Sequence, residues 1–135
     1  MGARKRLSAA KLKENKTLFT RASLNNVPTS PRKMRLVVDL IRGKEVNSAL
    51  DILRFTKKEC AKKVEKLVMS ALSNWQQNNP GLKIEDEKIF IKEAYVNEGR
   101  MLKRVQPAPQ GRAYRIRKRS NHVSIVLDSI NVKEQ

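Results

Sequence analysis

The sequence predicts an α+β fold: three helices packed on one face of a small antiparallel sheet, with a long protruding β-hairpin. In the first half of the chain, apolar residues recur at the 3.6-residue spacing of helices. In the second half they follow the two-residue alternation of strands, interrupted by a Pro- and Gly-rich turn. The 135 residues suit one domain, and because only 4% are aromatic, its core must be aliphatic.

The first structured segment is a weak strand followed by a helix. Residues 17–27 alternate imperfectly, and Pro28 ends the predicted strand. Ser30 and Pro31 then start a helix, because Ser can cap an N-terminus and Pro suits the first turn. Apolar residues at positions 34, 37, 38 and 41 form one helical face, and Gly43 is a typical residue at a helix C-terminus.

Two more helices are predicted at 46–55 and from Thr56 to about Asn78. Thr56 and Glu59 have the spacing of a capping box at the start of the longer one. Its inner stripe includes Cys60, which we expect to be a buried small hydrophobe. A single cysteine excludes an internal disulfide and a multi-cysteine zinc site.

The rest of the sequence predicts strands over 88–97 and 112–127. The apolar parity changes across 118–121, which indicates a bulge or bend there. Pro107, Pro109 and Gly111 lie between the strands, so we predict one hairpin over about 97–117 with its tip at 106–111. Its arms would be about 30 Å long at roughly 3.3 Å per residue. A body with a radius of gyration near 14 Å cannot cover them.

The predicted organisation is a basic N-terminal tail (1–16), a single domain (17–127) and a C-terminal tail (128–135). The N-terminal tail is polar and basic, which predicts disorder in isolation, with a short amphipathic helix around 7–12 as the alternative. No apolar run approaches the roughly 18 residues of a membrane span, and the first residues fit a myristoylation signal poorly, so we expect no membrane partner.

The net charge of +17 is concentrated at the two ends of the chain. Residues 1–38 hold 10 basic residues and one acidic, 39–98 hold 11 and 10, and 99–135 hold 9 and 2. No acid occurs between Gly99 and Leu127. A balanced body with one-signed extensions predicts a polyanionic partner, and nucleic acid fits that description best.

The candidate RNA-binding residues lie mostly on the hairpin arms. Arg outnumbers Lys there six to two, and Arg binds phosphate bidentately. Three cations in the first helical turn oppose the helix dipole, which favours phosphate contact. The candidates are Arg32, Lys33, Arg35, Arg100, Lys103, Arg104, Arg112, Arg115, Arg117, Lys118, Arg119 and His122.

Other polar residues leave two interpretations open. Tyr114 suits stacking on an unpaired base and packing at the base of the hairpin equally well. The lysines at 57, 58, 62, 63 and 66 suit a solvated face or an RNA contact. The tip is uncharged and rigid, which suits a segment that keeps a fixed shape beside a neighbouring molecule. It comprises Gln106, Pro107, Ala108, Pro109, Gln110 and Gly111.

No set of residues predicts catalysis, a cofactor, a metal site or a small-molecule substrate. His122 is the only histidine, and in a basic strand it suits a nucleic-acid contact or the sheet surface better than acid–base chemistry. The acidic run at 85–87 follows a Pro-Gly turn and is typical of a solvated loop. Phosphate-binding glycine motifs and metal-ligand spacings do not occur. We therefore expect a protein that is not an enzyme.

Two segments resemble a known family. Residues 30–44 (SPRKMRLVVDLIRGK) are similar to the signature helix of the ribosomal protein L twenty-two family, and residues 111–122 (GRAYRIRKRSNH) to the return strand of its hairpin. Ala49, Leu50, Lys103 and Arg104 also fit, and the resemblance runs from about 22 to 127. At the tip, the sequence departs from the family's usual pattern with fewer charges and one more proline.

The resemblance implies a cytoplasmic protein of the large ribosomal subunit that binds large-subunit rRNA and supports assembly. It also implies that the hairpin arms contact RNA. The tip would line the peptide exit tunnel, beside ribosomal protein L four and the nascent peptide.

Two alternative functions are considered, one of a nucleic-acid-binding protein and one of an enzyme. An architectural DNA-binding protein can also carry a basic, proline-tipped ribbon, but such proteins are usually dimers, and the sequence has no obvious second apolar face. An RNA-modifying enzyme would need a cofactor loop or a catalytic pair, which the sequence lacks.

Overall fold

The computed structural model describes residues 3–17, 20–82 and 87–129. The helices are α1 (Ala3–Thr17), α2 (Pro31–Ile41), α3 (Val46–Phe55) and α4 (Glu59–Asn78). The strands are β1 (Thr20–Val27), β2 (Ile89–Glu98), β3 (Leu102–Pro107), β4 (Ala113–Lys118) and β5 (Asn121–Ser129). The predicted α+β class is confirmed, and among the described helices none is long and apolar enough to cross a membrane.

The strands form two antiparallel sheets. The body sheet has the order β1-β5-β2, and a separate two-stranded sheet pairs β3 with β4. The predicted hairpin is therefore divided: Asn97 pairs with His122 inside the body sheet, whereas the protruding part begins at Leu102, opposite Lys118. This division lies where the apolar parity changed, so the predicted bend at 118–121 is confirmed.

The helices α2, α3 and α4 pack with the body sheet around an aliphatic core. The apolar face predicted for α2 is fully buried, and Cys60 is 7% exposed. The central strand β5 contributes Val123, Ile125 and Leu127 to the same cluster. We call the body sheet and these three helices the body.

The ends of the helices differ in part from the prediction. Ser30 is the N-cap residue of α2, but its hydroxyl makes no capping bond, and its carbonyl instead accepts from the amides of Lys33 and Met34 at 3.1 Å. Gly43 follows the helix with φ +73, and its amide donates to the Ile91 carbonyl at 2.9 Å. The glycine thus ties α2 to β2.

The prediction of a capping box at Thr56 is wrong. The N-cap of α4 is Lys58, and Thr56 instead ends α3, where its hydroxyl donates to the Ile52 carbonyl at 2.6 Å. Serine and threonine hydroxyls bond to carbonyls four residues back in this way. The Thr56 side chain therefore belongs to the end of α3, although its spacing to Glu59 predicted that it caps α4.

The N-terminal segment forms a helix longer than the alternative considered for 7–12. Residues 3–17 contain no Gly or Pro and are rich in Ala, Lys and Leu, which favour helix. Leu7 and Leu12 are 63% and 60% exposed, so these two leucines lie outside the core. At the other end, β5 runs to Ser129, and the remainder of the predicted C-terminal tail lies outside the described residues.

Candidate nucleic-acid interface

The two-stranded sheet of β3 and β4 is exposed along its whole length. We call residues 102–118 the ribbon. Every residue of both strands is exposed, and even Val105 and Tyr114 are 69% and 65% accessible. The ribbon thus lacks the buried apolar face that usually stabilises a sheet, and an isolated two-stranded ribbon is marginal in water.

The register divides the ribbon into two faces, because side chains alternate along a strand and directly opposed residues share a face. The cationic face carries Lys103, Val105 and Pro107 opposite Arg117, Arg115 and Ala113. The mixed face carries Leu102, Arg104 and Gln106 opposite Lys118, Ile116 and Tyr114. On the cationic face Lys103 lies directly across from Arg117, and such a like-charge pair is destabilising without an anion.

The hairpin cations have almost no acidic partners. Of the hairpin cations, only Arg119 has a carboxylate of a described residue within 4 Å, that of Glu98 at 3.9 Å. Both of these side chains are exposed, and an exposed ion pair of this length contributes little. The positive charge of the hairpin is therefore left for a partner. The predicted residues concerned are Arg100, Lys103, Arg104, Arg112, Arg115, Arg117, Lys118 and Arg119.

The ribbon joins the body through a tight junction at Gly99 and Ser120. The Gly99 amide donates to the Ser120 carbonyl at 2.8 Å, and the Ser120 hydroxyl donates to the Arg100 carbonyl. A Cβ at position 99 would lie 2.7 Å from the Ser120 Oγ and 3.2 Å from its carbonyl carbon. Only glycine allows the backbone segments at positions 99 and 120 to approach so closely.

The tip ends in a turn at Pro109–Arg112. Gln110 and Gly111 have φ values of 61 and 70, and the Arg112 amide donates to the Pro109 carbonyl at 3.4 Å. Two successive positive φ values are typical of a type I′ turn, whose twist matches that of the flanking strands. The Ala108 amide closes the loop by donating to the Arg112 carbonyl at 2.9 Å. The six predicted tip residues thus lie together, at the end farthest from the body.

Two arginines of α2 are engaged with the body. Arg35 donates to the Val96 carbonyl at 3.2 Å, and Arg42 donates to the Ala94 carbonyl at 2.7 Å. They are seven residues apart, two helical turns, so they reach alternate carbonyls of the edge strand β2. The sequence predicts an RNA contact for Arg35 and does not indicate the role of Arg42. Arg32 and Lys33 are exposed in the first turn of the helix, as expected.

His122 lies in the sheet. Its Nδ1 accepts a hydrogen bond from the Asn26 backbone amide at 3.1 Å, which places the proton of a neutral ring on Nε2. The side chain is half-buried. This contact belongs to the sheet surface, and the nucleic-acid contact of His122 stays a prediction.

The lysines of α4 present a mostly solvated face, with Lys63 half-buried. Lys63 pairs with Glu59 at 2.9 Å. Its hydrogen bond and positive charge lower the pKa of the Glu59 carboxyl below its usual value.

The acidic run is only partly visible, because 83–86 lie outside the described residues. Within the described part of the chain, no three His, Cys, Asp or Glu residues cluster as metal ligands would.

Comparison with known proteins identifies the family. Residues 22–128 match the family model described as "Ribosomal protein L22p/L17e". A protein of Flavobacterium psychrophilum is 60% identical over 131 residues, which are 97% of this chain and 96% of the relative. A protein of Bacteroides fragilis is 57% identical over 129 residues, 96% and 94% of the two chains. Both relatives are named "Large ribosomal subunit protein uL22". The chain belongs to the ribosomal protein L22p/L17e family.

Proposed function

We propose that the ribbon binds large-subunit rRNA and supports its assembly, and that the tip lines the peptide exit tunnel. The family and its relatives' names make the protein a structural, non-enzymatic component of the large ribosomal subunit. The relatives come from bacteria, whose ribosomes work in the cytoplasm. The RNA and tunnel roles go further than family membership.

One observation carries the RNA-binding role: the ribbon is exposed on both faces, and its cations have no acidic partner among the described residues. Phosphates would neutralise the opposed Lys103 and Arg117 and would supply the contacts that the body does not. Bidentate Arg–phosphate bonds are among the strongest hydrogen bonds that a surface side chain makes. The ribbon therefore suits burial in RNA.

The uncharged tip supports a different role. Its two prolines and the turn at Gln110 and Gly111 fix its shape, and it offers no cation for phosphate. A rigid neutral end suits a wall that nascent peptides pass without adhering to it. Ribosomal protein L four is the proposed neighbour at that wall, and the nascent peptide is the proposed passing partner.

The RNA role is tested with Arg115→Ala combined with Arg117→Ala. Two lost charge-assisted contacts at roughly 1–3 kcal/mol each should weaken binding to large-subunit rRNA by a few kcal/mol. The logarithm of the wild-type binding constant should fall with the logarithm of salt with a slope of order −5 if about six to eight phosphates are neutralised. Filter binding across a salt series measures both quantities.

The matched control removes two cations from the body. Arg54 pairs with Glu65 and Lys92 with Asp128, so Arg54→Ala combined with Lys92→Ala deletes the same charge away from the ribbon. This variant should bind RNA far more tightly than the ribbon variant. Equal losses in the two variants would mean that net charge, and not the ribbon, sets the affinity.

The tip role is tested by deleting residues 108–110. RNA binding and subunit reconstitution should stay close to wild type, because the deleted residues carry no charge. Translational stalling on tunnel-sensing peptides should change, because the shape of the wall changes. If the deletion abolishes RNA binding while the double arginine variant binds normally, the two roles are assigned the wrong way round.

A further inference from the structure

A cleft lies where the ribbon meets the body, beside the first turns of α2 and α4. Its volume is about 970 Å³, at the upper end of the range for small-molecule sites. Five cations line it, contributed by both helices and by both sides of the junction: Lys33, Lys58, Arg100, Lys118 and Arg119. The cleft is not predictable from the sequence, because these residues are up to 86 positions apart in the chain.

The same cleft has an apolar side. Leu36 of α2 and Leu102 of β3 line it, and they are 54% and 49% exposed. A surface that held only phosphates would not need two exposed leucines among its cations. Apolar side chains beside cations match the two parts of a nucleotide, which has a flat base and an anionic phosphate.

We propose that this cleft receives one unpaired nucleotide of the RNA that the ribbon binds. The base lies against Leu36 and Leu102, and the phosphates on either side of it lie among the five cations. This inference rests on the RNA-binding function proposed above and adds to it the kind of RNA element recognised in this cleft.

The charge of the cleft favours RNA over a protein partner. Glu59 is the only acid among the described residues that line it, and the ammonium of Lys63 lies 2.9 Å from its carboxylate. An unpaired nucleotide is favoured over a duplex because paired bases are stacked and keep their faces hidden, whereas unpaired bases can pack against aromatic, apolar or arginine side chains.

The cleft is continuous with the mixed face of the ribbon. Leu102 and Lys118 belong to both, and Ile116 and Tyr114 follow farther along the same face. RNA held along the ribbon therefore reaches the cleft without leaving the protein surface. This continuity places the unpaired nucleotide next to RNA that is already bound.

Two leucines of α2 provide a matched pair of probe positions. Leu36 and Leu40 are one helical turn apart and are 54% and 46% exposed, but only Leu36 lines the cleft. A photo-crosslinking p-benzoylphenylalanine is placed at either position in the full chain. The protein is bound to large-subunit rRNA transcribed from a Flavobacterium relative, and crosslinks are mapped by reverse transcription.

Position 36 should crosslink to one or two adjacent nucleotides whose Watson–Crick edges react with dimethyl sulfate in the free RNA. Position 40 should not give that crosslink. In a second measurement, Leu36→Ala should lower RNA affinity about fivefold, the loss expected for burial of roughly half a leucine, while Leu40→Ala should not.

Three results would overturn the cleft proposal and leave RNA binding intact. These are a crosslink from position 36 to a base-paired nucleotide, a crosslink from it to another protein in reconstituted subunits, and no crosslink together with wild-type affinity for Leu36→Ala. Failure of the wild-type chain to bind the RNA at all would overturn both the cleft and the proposed function.

Discussion

The body sheet and the ribbon use the same antiparallel pairing in opposite surroundings. In β5 only His122 and Asp128 escape full burial, whereas every residue of β3 and β4 is exposed. The body sheet is stabilised by apolar area that its own helices cover. The ribbon has no such cover, which supports the proposal that a partner stabilises it in the assembled state.

The edges of the body sheet are covered by side chains of the helices, whereas in the described part of the chain the edges of the ribbon are not. Arg35 and Arg42 bind carbonyls of the edge strand β2, and on the opposite edge Asn74 of α4 donates to the Arg21 carbonyl of β1 at 3.2 Å. Covered edges protect a sheet from pairing with other chains. The ribbon instead relies on charge, since several cations along an edge also discourage pairing.

The cations serve different purposes in the two regions. In the body, Arg42 pairs with Asp39 at 2.8 Å and Lys92 with Asp128 at 2.8 Å. The ribbon offers its cations no comparable acids. This difference supports the proposal that the unpaired cations of the ribbon bind a polyanion.

The largest expected effect is on the free energy of unfolding, and one isoleucine from each region measures it. Ile125 is completely buried and Ile116 is 37% exposed. Ile125→Ala should lower the free energy of unfolding by about 2–5 kcal/mol, through lost burial and the cavity it leaves. Ile116→Ala should change it by less than about 0.5 kcal/mol.

Urea denaturation followed by the fluorescence of Trp75, the single tryptophan, reports on the body because this residue is 3% exposed in α4. Similar losses for the two variants would mean that the ribbon and the body unfold as one unit.

Periodicity predicted most of the fold because burial on one face is a local pattern. The limits of α3 were predicted to the residue, and β2 differs from its prediction by one residue at each end. The junction between the sheets was also visible, since a strand that leaves the core changes which parity is apolar. The exposed ribbon was predicted from the length of the hairpin arms relative to the size of the body.

The parts that sequence missed depend on contacts between distant segments. Nothing near Arg35 or Arg42 indicates that they bind carbonyls more than 50 residues away. Thr56 fits a capping box as well as a helix end, and only the position of α3 decides between them. The basic cleft exists only because the junction brings Arg100 and Arg119 beside the ends of two helices.

A smaller effect on stability separates an arginine of the body, Arg42, from an arginine of the ribbon, Arg112. Arg42 donates to the Ala94 carbonyl at 3.0 and 2.7 Å, so Arg42→Ala should destabilise the free protein by about 1–2 kcal/mol. Arg112 lies in the ribbon turn, and Arg112→Ala should leave that stability within about 0.5 kcal/mol while weakening RNA binding. Thermal unfolding and filter binding on both variants give the comparison. An Arg112→Ala protein as destabilised as Arg42→Ala would remove the distinction between the two kinds of cation.

The smallest expected effect concerns the opposed cations of the ribbon. Lys103→Thr removes one member of the like-charge pair with Arg117, so it should stabilise the free ribbon by about 0.2–1 kcal/mol even though it weakens RNA binding. Amide hydrogen exchange of the ribbon should slow by up to about fivefold, and the gain should shrink as salt screens the repulsion. Gln106→Thr is the control, because it introduces the same β-branched residue in the same strand without changing charge. Equal protection in both variants would attribute the gain to strand propensity. A gain confined to Lys103→Thr would mean that, in the free protein, the ribbon gives up stability to keep cations available for RNA.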